Sequence, residues 1–157
     1  MVKKIKIGIL HEGFTATNFQ MEIISYLCNK KSYEVYWLKL VNSETRLEKF
    51  VRKLGDRGIF TLTSDILFKL YENIENKAFN NAKSYSDRSL NLKDYQFEKT
   101  ITVEYVMGKF NACTIIQKSL NELQNLKLDF LYRSGGGGIY KGEILNLARH
   151  GIISLHH

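Results

Sequence analysis

Ile5-Lys6-Ile7-Gly8-Ile9-Leu10 is the stretch on which the fold turns. It is short, largely apolar and rich in branched side chains, and it stops at His11-Glu12. Such a run predicts a strand buried on both faces of a parallel sheet. It is too short for the apolar core of about 7–15 residues that a signal peptide needs. Beyond it, Gly13 and Thr15 punctuate a loop. Phe19, Ile23, Ile24 and Leu27 then recur at helical spacing, which predicts a helix over residues 16–29. Residues 33–41, aromatic and branched, predict a second strand. Ser43 is the expected cap of the next helix, Leu47, Phe50, Val51 and Leu54 its stripe, and Gly55 its end. Strand, helix, strand, helix in this order predicts a parallel sheet with right-handed crossovers.

The same alternation returns later. Residues 63–79 predict an extra helix, capped by Thr63 or Ser64 and striped by Ile66, Leu67, Leu70, Tyr71 and Ile74. Residues 80–98 are polar with weak periodicity. With the helix they form an expected insertion at about 56–98, because so long a structureless stretch is unusual inside a compact domain. Residues 100–106 predict a third strand, 113–126 a helix, 128–132 a fourth strand, 140–149 a short helix and 151–155 a fifth strand. The expected architecture is α/β: one domain over residues 1–157 built on an open, mostly parallel Rossmann-like sheet of about five strands, with helices on both faces.

Composition narrows the class. Of 157 residues, 44% are hydrophobic and 25% charged, as in a globular protein with a full core. No apolar run approaches the roughly 20 residues of a membrane helix, so no membrane partner is expected. Two cysteines, Cys28 and Cys113, exclude a disulfide scaffold and fit a cytoplasmic protein. No Cys/His spacing points to a metal. The net charge of +7 comes from Lys and Arg spread along the chain, which argues against a nucleic-acid partner.

In an open parallel sheet ligands bind beyond the carboxyl ends of the strands. Those ends carry His11-Glu12-Gly13, Met107-Gly108, Arg133 to Gly138, and Ser154 to His157. Gly135, Gly136, Gly137 and Gly138 follow a strand, and lacking Cβ atoms they let backbone amides approach a ligand. They match neither a dinucleotide fingerprint nor a P-loop. His156 is a candidate general base, since imidazole titrates near neutrality. His11 faces the expected cleft, and a structural role is its plainer reading.

Leu128-Asp129-Phe130-Leu131, the glycine loop, Lys141-Gly142-Glu143-Ile144-Leu145 and Gly151-Ile152-Ile153-Ser154-Leu155-His156 together resemble the formyltransferase family, which includes the methionyl-tRNA, glycinamide ribonucleotide and sugar-nucleotide enzymes. The first strand is similar to theirs as well; the middle of the chain is not. The resemblance implies transfer of a formyl group from 10-formyltetrahydrofolate to a small-molecule amine, with an amino-sugar nucleotide favoured as acceptor. It assigns catalysis to His156 and Ser154, and the folate pocket to Gly135 through Gly138 with Ile139. Ser154 stands where the family has Asn, and His157 where it has Pro. The family's partner Asp and closing strands have no counterpart by residue 157. The expectation is therefore a domain lacking its C-terminal part, with impaired transfer and an exposed sheet edge that favours a homodimer. Two other functions stay open: a non-catalytic Rossmann-like ligand-binding module, and the N-terminal half of a sugar-nucleotide-dependent glycosyltransferase.

Overall fold

The computed structural model describes residues 3–78, 89–135 and 138–154. It divides into two compact units, one of residues 1–43 and 89–157, the other of residues 44–88.

The larger unit is built on a seven-stranded sheet. In chain order its elements are β1 (Ile5–Glu12), β2 (Thr15–Thr17), α1 (Asn18–Asn29), β3 (Tyr33–Asn42), β4 (Ser89–Asn91), β5 (Lys99–Met107), β6 (Ala112–Ile115), α3 (Gln117–Leu126), β7 (Phe130–Arg133), β8 (Ile139–Lys141) and β9 (Ile152–Ser154). The large sheet has the order β8-β6-β5-β3-β1-β7-β9, and β2 pairs with β4 in a separate two-stranded ribbon. β1 lies parallel between β3 and β7, with Ile7 opposite both Val35 and Phe130. β5 and β9 extend the parallel set on either side. β6 runs antiparallel to β5, and β8 follows β6. The sheet thus has seven strands where about five were expected. The two additions, β6 and β8, are short segments that the sequence reading placed in the helices over 113–126 and 140–149. The latter region is in fact β8 followed by a five-residue 3-10 helix, Gly142–Asn146.

The sheet is curled, and the chain length requires it. Only six residue steps separate Arg133 at the end of β7 from Ile139 at the start of β8, a reach of at most about 21 Å. A flat sheet would put five strand spacings, about 24 Å, between those strands. The guanidinium of Arg133 lies 5.3 Å from the centroid of the Tyr140 ring, so the two strands meet across the inner face.

Strand alternation sorts the core into two layers. On the inner face Leu10, Leu38, Leu40, Val103 and Leu131 pack with Leu120 and Leu123 of α3. On the other face Ile7, Ile9, Val35 and Trp37 pack with Met21 and Ile24 of α1. Helices therefore cover both faces. α1 starts at a capping box: Thr17 Oγ1 accepts from the Gln20 amide at 3.4 Å, and Gln20 Oε1 accepts from the Thr17 amide at 2.9 Å. Phe19, expected on the buried stripe, is 44% exposed; Met21 takes the deep position instead.

The smaller unit holds α2 (Arg46–Ala78), one 33-residue helix that joins the two expected separately. Gly55 does not end it, because glycine inside a helix costs only about 1 kcal/mol and needs a following left-handed cap to act as a stop. The helix begins at a capping box on Thr45: the Thr45 amide donates to Glu48 Oε2 and the Glu48 amide to Thr45 Oγ1. Ser43, the expected cap, instead donates through its hydroxyl to the Tyr105 carbonyl.

Gly8 sits at the centre of the larger sheet. A Cβ there would lie 2.7 Å from Leu38, 2.8 Å from Leu128 and 2.9 Å from Leu131 side-chain carbons. Gly8→Ala is expected to lower unfolding stability by about 1–3 kcal/mol through overpacking, measured by urea denaturation.

Candidate functional site

The five strands that run parallel in the larger unit end on one edge, and the strand order reverses between β1 and β7: β3 and β5 are added on one side of β1, β7 and β9 on the other. Such a switch point opens a crevice beyond the strand ends. Each face of the sheet brings a different set of side chains to this edge.

On the inner face, the alternation that buries Leu10, Leu40, Val103 and Leu131 carries on into polar residues: Glu12, Asn42, Tyr105 and Arg133. Cys113 and Tyr140 meet them from β6 and β8, where they pair in register. Ser154 pairs with Arg133, so its side chain emerges on this same face. A polar tier therefore sits directly above the apolar core. The Tyr105 hydroxyl donates to Glu12 Oε1 at 3.2 Å. Burial, reinforced by the nearby Glu12 carboxylate, pushes the Tyr105 phenol up to about 12. Burial also pushes the Cys113 thiol up to about 11, so it stays protonated at neutral pH and is a poor nucleophile. The Tyr140 phenol is raised as well, chiefly by burial and then by Cys113. Its hydroxyl is buried without a hydrogen-bond partner, a deficit of about 1–3 kcal/mol.

On the other face, His11 is 4% exposed. Its Nε2 lies 2.8 Å from the Thr15 carbonyl. A carbonyl only accepts, so in the neutral ring the proton is on Nε2 and Nδ1 carries the lone pair. Nδ1 is buried with no partner and faces Gly135, where a Cβ would lie 3.3 Å from it. Gln20 closes this corner, its amide Nε2 donating to the Ser134 carbonyl and tying the start of α1 to the end of β7.

The residues expected from the sequence fall into three groups. Ser154 reaches the inner polar tier. Gly135 packs beside His11 and Gln20, while Gly138 lies against the Asn111 carbonyl of the loop before β6, which leaves no room for a Cβ. Gly135 and Gly138 are thus on different neighbours, and Ile139, 64% exposed, begins β8. His156, Gly136 and Gly137 lie outside the described residues. The glycine run leads into a strand and a 3-10 helix of five residues, so no α-helix N-terminus reinforces it. Tyr105 and Tyr140 were not singled out in the sequence. Tyr140 falls in a segment that reads as helix, and only the β6–β8 pairing reveals its place.

Among the described residues no group of three or more His, Cys, Asp or Glu side chains is placed to hold a metal ion. No helix among them is long and apolar enough to cross a membrane. Comparison with known proteins finds no matching family model, no matching curated protein and no matching solved structure.

Burial holds the His11 imidazole below its ordinary value, against weaker upward pulls from the Thr15 carbonyl and Glu12. The unfolded chain therefore takes up this proton first as pH falls through about 6.5. His11 contributes full stability above that pH and loses it progressively below. In urea unfolding at pH 7 and pH 5, His11→Gln is expected to flatten the pH dependence seen with the natural chain.

Proposed function

We propose that the chain carries a formyl-transfer site of the kind its last 30 residues resemble, acting on a small-molecule amine. The observation that supports it is the β7–β9 register: Arg133 opposite Ser154 places Ser154 on the strand next to the one that leads into the glycine run, at the same edge.

Two features of the edge fit a folate carrier. The orphaned Nδ1 of His11 is an acceptor for a ring N–H beside Gly135, and Ile139 offers an exposed apolar contact on the same connection. Gly135, Gly138 and Ile139 would hold the carrier. When bound it supplies a formyl carbon open to attack by an amine. Ser154 is the hydroxyl donor toward the oxygen that gains charge, a stabilisation worth about 100-fold or more per donor in other enzymes. His156 is the base that takes the amine proton. The sugar-nucleotide branch is preferred over the tRNA branch, since no basic cluster marks a polynucleotide path. Free, buried or half-buried cysteines suit a cytoplasmic setting. The edge strand β9, with Ile153 49% exposed, is the surface on which a homodimer would form.

A second reading, a non-catalytic ligand-binding module, is favoured by one observation. The space a Cβ would take at Gly135 and at Gly138 is filled by the chain's own atoms. Close packing alone accounts for those two glycines.

The readings separate in a melting experiment, since a ligand that binds only the folded state raises the melting temperature. 5-Formyltetrahydrofolate is expected to raise it, and the natural chain to release tetrahydrofolate from 10-formyltetrahydrofolate in the presence of an amino-sugar nucleotide. Ser154→Ala is expected to slow that release by about 100-fold or more. Stabilisation by a sugar nucleotide without any folate response would overturn the formyl-transfer reading.

A further inference from the structure

We infer that the face of the larger sheet that carries α1 binds a single-chain lipid phosphate at the amino ends of β1, β7 and β9, with the phosphate in a basic cleft and the chain in an apolar groove that opens from it. This is the opposite end of the strands from the formyl-transfer edge, and the inference stands apart from that reading.

Lys3, Lys4, Asp129, Phe130, Arg149 and His150 line a cleft of about 210 Å³. Lys3, Lys4 and Arg149 are exposed, and among the described residues their side chains have no hydrogen-bond or ion-pair partner. Asp129 is the carboxylate of the lining, and its Oδ2 accepts from the Lys6 amide at 2.9 Å. Three cations against one carboxylate leave two positive charges. A phosphate monoester, with about −1.5 to −2 at neutral pH, offsets them. The backbone under the cleft is fixed: the Arg149 amide donates to the Leu128 carbonyl at 3.0 Å and the His150 amide to the Asp129 carbonyl at 2.9 Å. The His150 ring stacks on Phe130 with 4.9 Å between centroids.

Phe130 also lines a second hollow, an apolar groove of about 310 Å³. Register makes the two continuous. Phe130 pairs with Ile7, and Ile5, at the cleft, lies two residues before Ile7 on the same face. Ile153 of β9 pairs with Tyr132 of β7, and both line the groove. Ile23 and Leu27 form its wall on the α1 side. Toward β3 the groove reaches Tyr33, which also borders a cleft holding Glu34 and Glu98. Carboxylates there repel a phosphate, so the Phe130 side is the one that accepts the head.

Apolar surface rimmed by charge marks an interaction site, and its shape decides the occupant. Ile7 and Tyr132, 7% and 6% exposed, are the floor of a hollow. A surface that enters a bilayer buries protruding apolar side chains instead. An α-helix about 10 Å across fills roughly 120 Å³ per residue, so the groove would take in less than one turn of it. A second copy of the chain brings its own net charge of +7 toward the basic cleft. A chain of methylenes ending in a phosphate suits both parts: burial draws in the chain, and charge-assisted hydrogen bonds hold the head.

The test is titration of the full chain, followed by the methyl NMR signals of Ile7 and Ile153 and the ring signals of His150. The probes are hexyl, octyl and decyl phosphate below their micelle concentrations, with inorganic phosphate, decanol and decanoate beside them. Decyl phosphate is expected to half-saturate about tenfold or more below inorganic phosphate and decanol, and the series to tighten about three- to fourfold per methylene until the groove is full. Decanoate, with a single charge, is expected to bind more weakly than decyl phosphate. Lys4→Gln combined with Arg149→Gln should bring decyl phosphate to the level of decanol and leave decanol unchanged. Ile153→Asp should weaken decyl phosphate about tenfold and leave inorganic phosphate unchanged. Should Ile153→Asp fail to fold, the double variant, at two exposed positions, decides by itself. Equal half-saturation by decyl phosphate and decanol, or unchanged decyl phosphate binding in the double variant, overturns the inference. So does decanoate binding as tightly as decyl phosphate, or tighter binding to vesicles of anionic phospholipid. Signals of Ile7 and Ile153 that move with protein concentration alone place a second copy in the groove and overturn it as well. Ser154→Ala is expected to leave decyl phosphate binding unchanged, so this site and the formyl-transfer reading stand or fall separately.

Discussion

The short passage from Arg133 to Ile139 constrains the larger unit more than any other segment. Too few residues cross from β7 to β8 for the sheet to lie flat, so the chain's own length bends it. Bending draws β6 and β8 over the inner face and brings Tyr140 beneath Arg133. It also presses Gly138 against the Asn111 carbonyl, which only a residue without a Cβ tolerates. Packing, register and the polar tier are all downstream of this tether.

The two faces of the strand ends solve different problems. Outside, His11 is closed in by the Thr15 carbonyl, Gln20 and Gly135, and its ring is kept neutral by burial. Inside, the strands hand over from leucine and valine to polar, charged and phenolic groups two residues further along the same face. The backbone ladder between β1 and β7 fixes the strand spacing, and the spacing in turn fixes how far apart Glu12 and Arg133 stand. The buried apolar residues below decide which face the polar ones share.

Much of this was legible in the amino acids and some was not. Ile5–Leu10 and residues 33–41 announce themselves because buried parallel strands read as unbroken apolar runs. β6 was hidden because Ala-Cys-Thr-Ile leads straight into the periodic Ile116, Leu120 and Leu123, and a four-residue strand has no period of its own to compete. β8 was hidden for the same reason, with three residues. The division of α2 at Gly55 was a misreading of glycine, which stops a helix only where the backbone turns left-handed. Lys127, with φ of 51°, is a position that does turn, and it ends α3. At the site, the strand ends that carry Glu12, Arg133 and Ser154 could be named from the sequence. That these three share a face with Tyr105 and Tyr140 is a matter of pairing across the whole seven-stranded sheet, which no local pattern encodes.

The smaller unit has a geometry of its own. Along α2, Leu47 and Val51 are exposed near the start and Ile66, Leu70 and Ile74 toward the end. At about 100° per residue, Leu47 and Ile74 point in opposite directions around the helix axis. A single straight groove can therefore shelter one greasy flank of this rod and leaves the other wet; whatever keeps both dry has to wind half a turn around it or come from two sides.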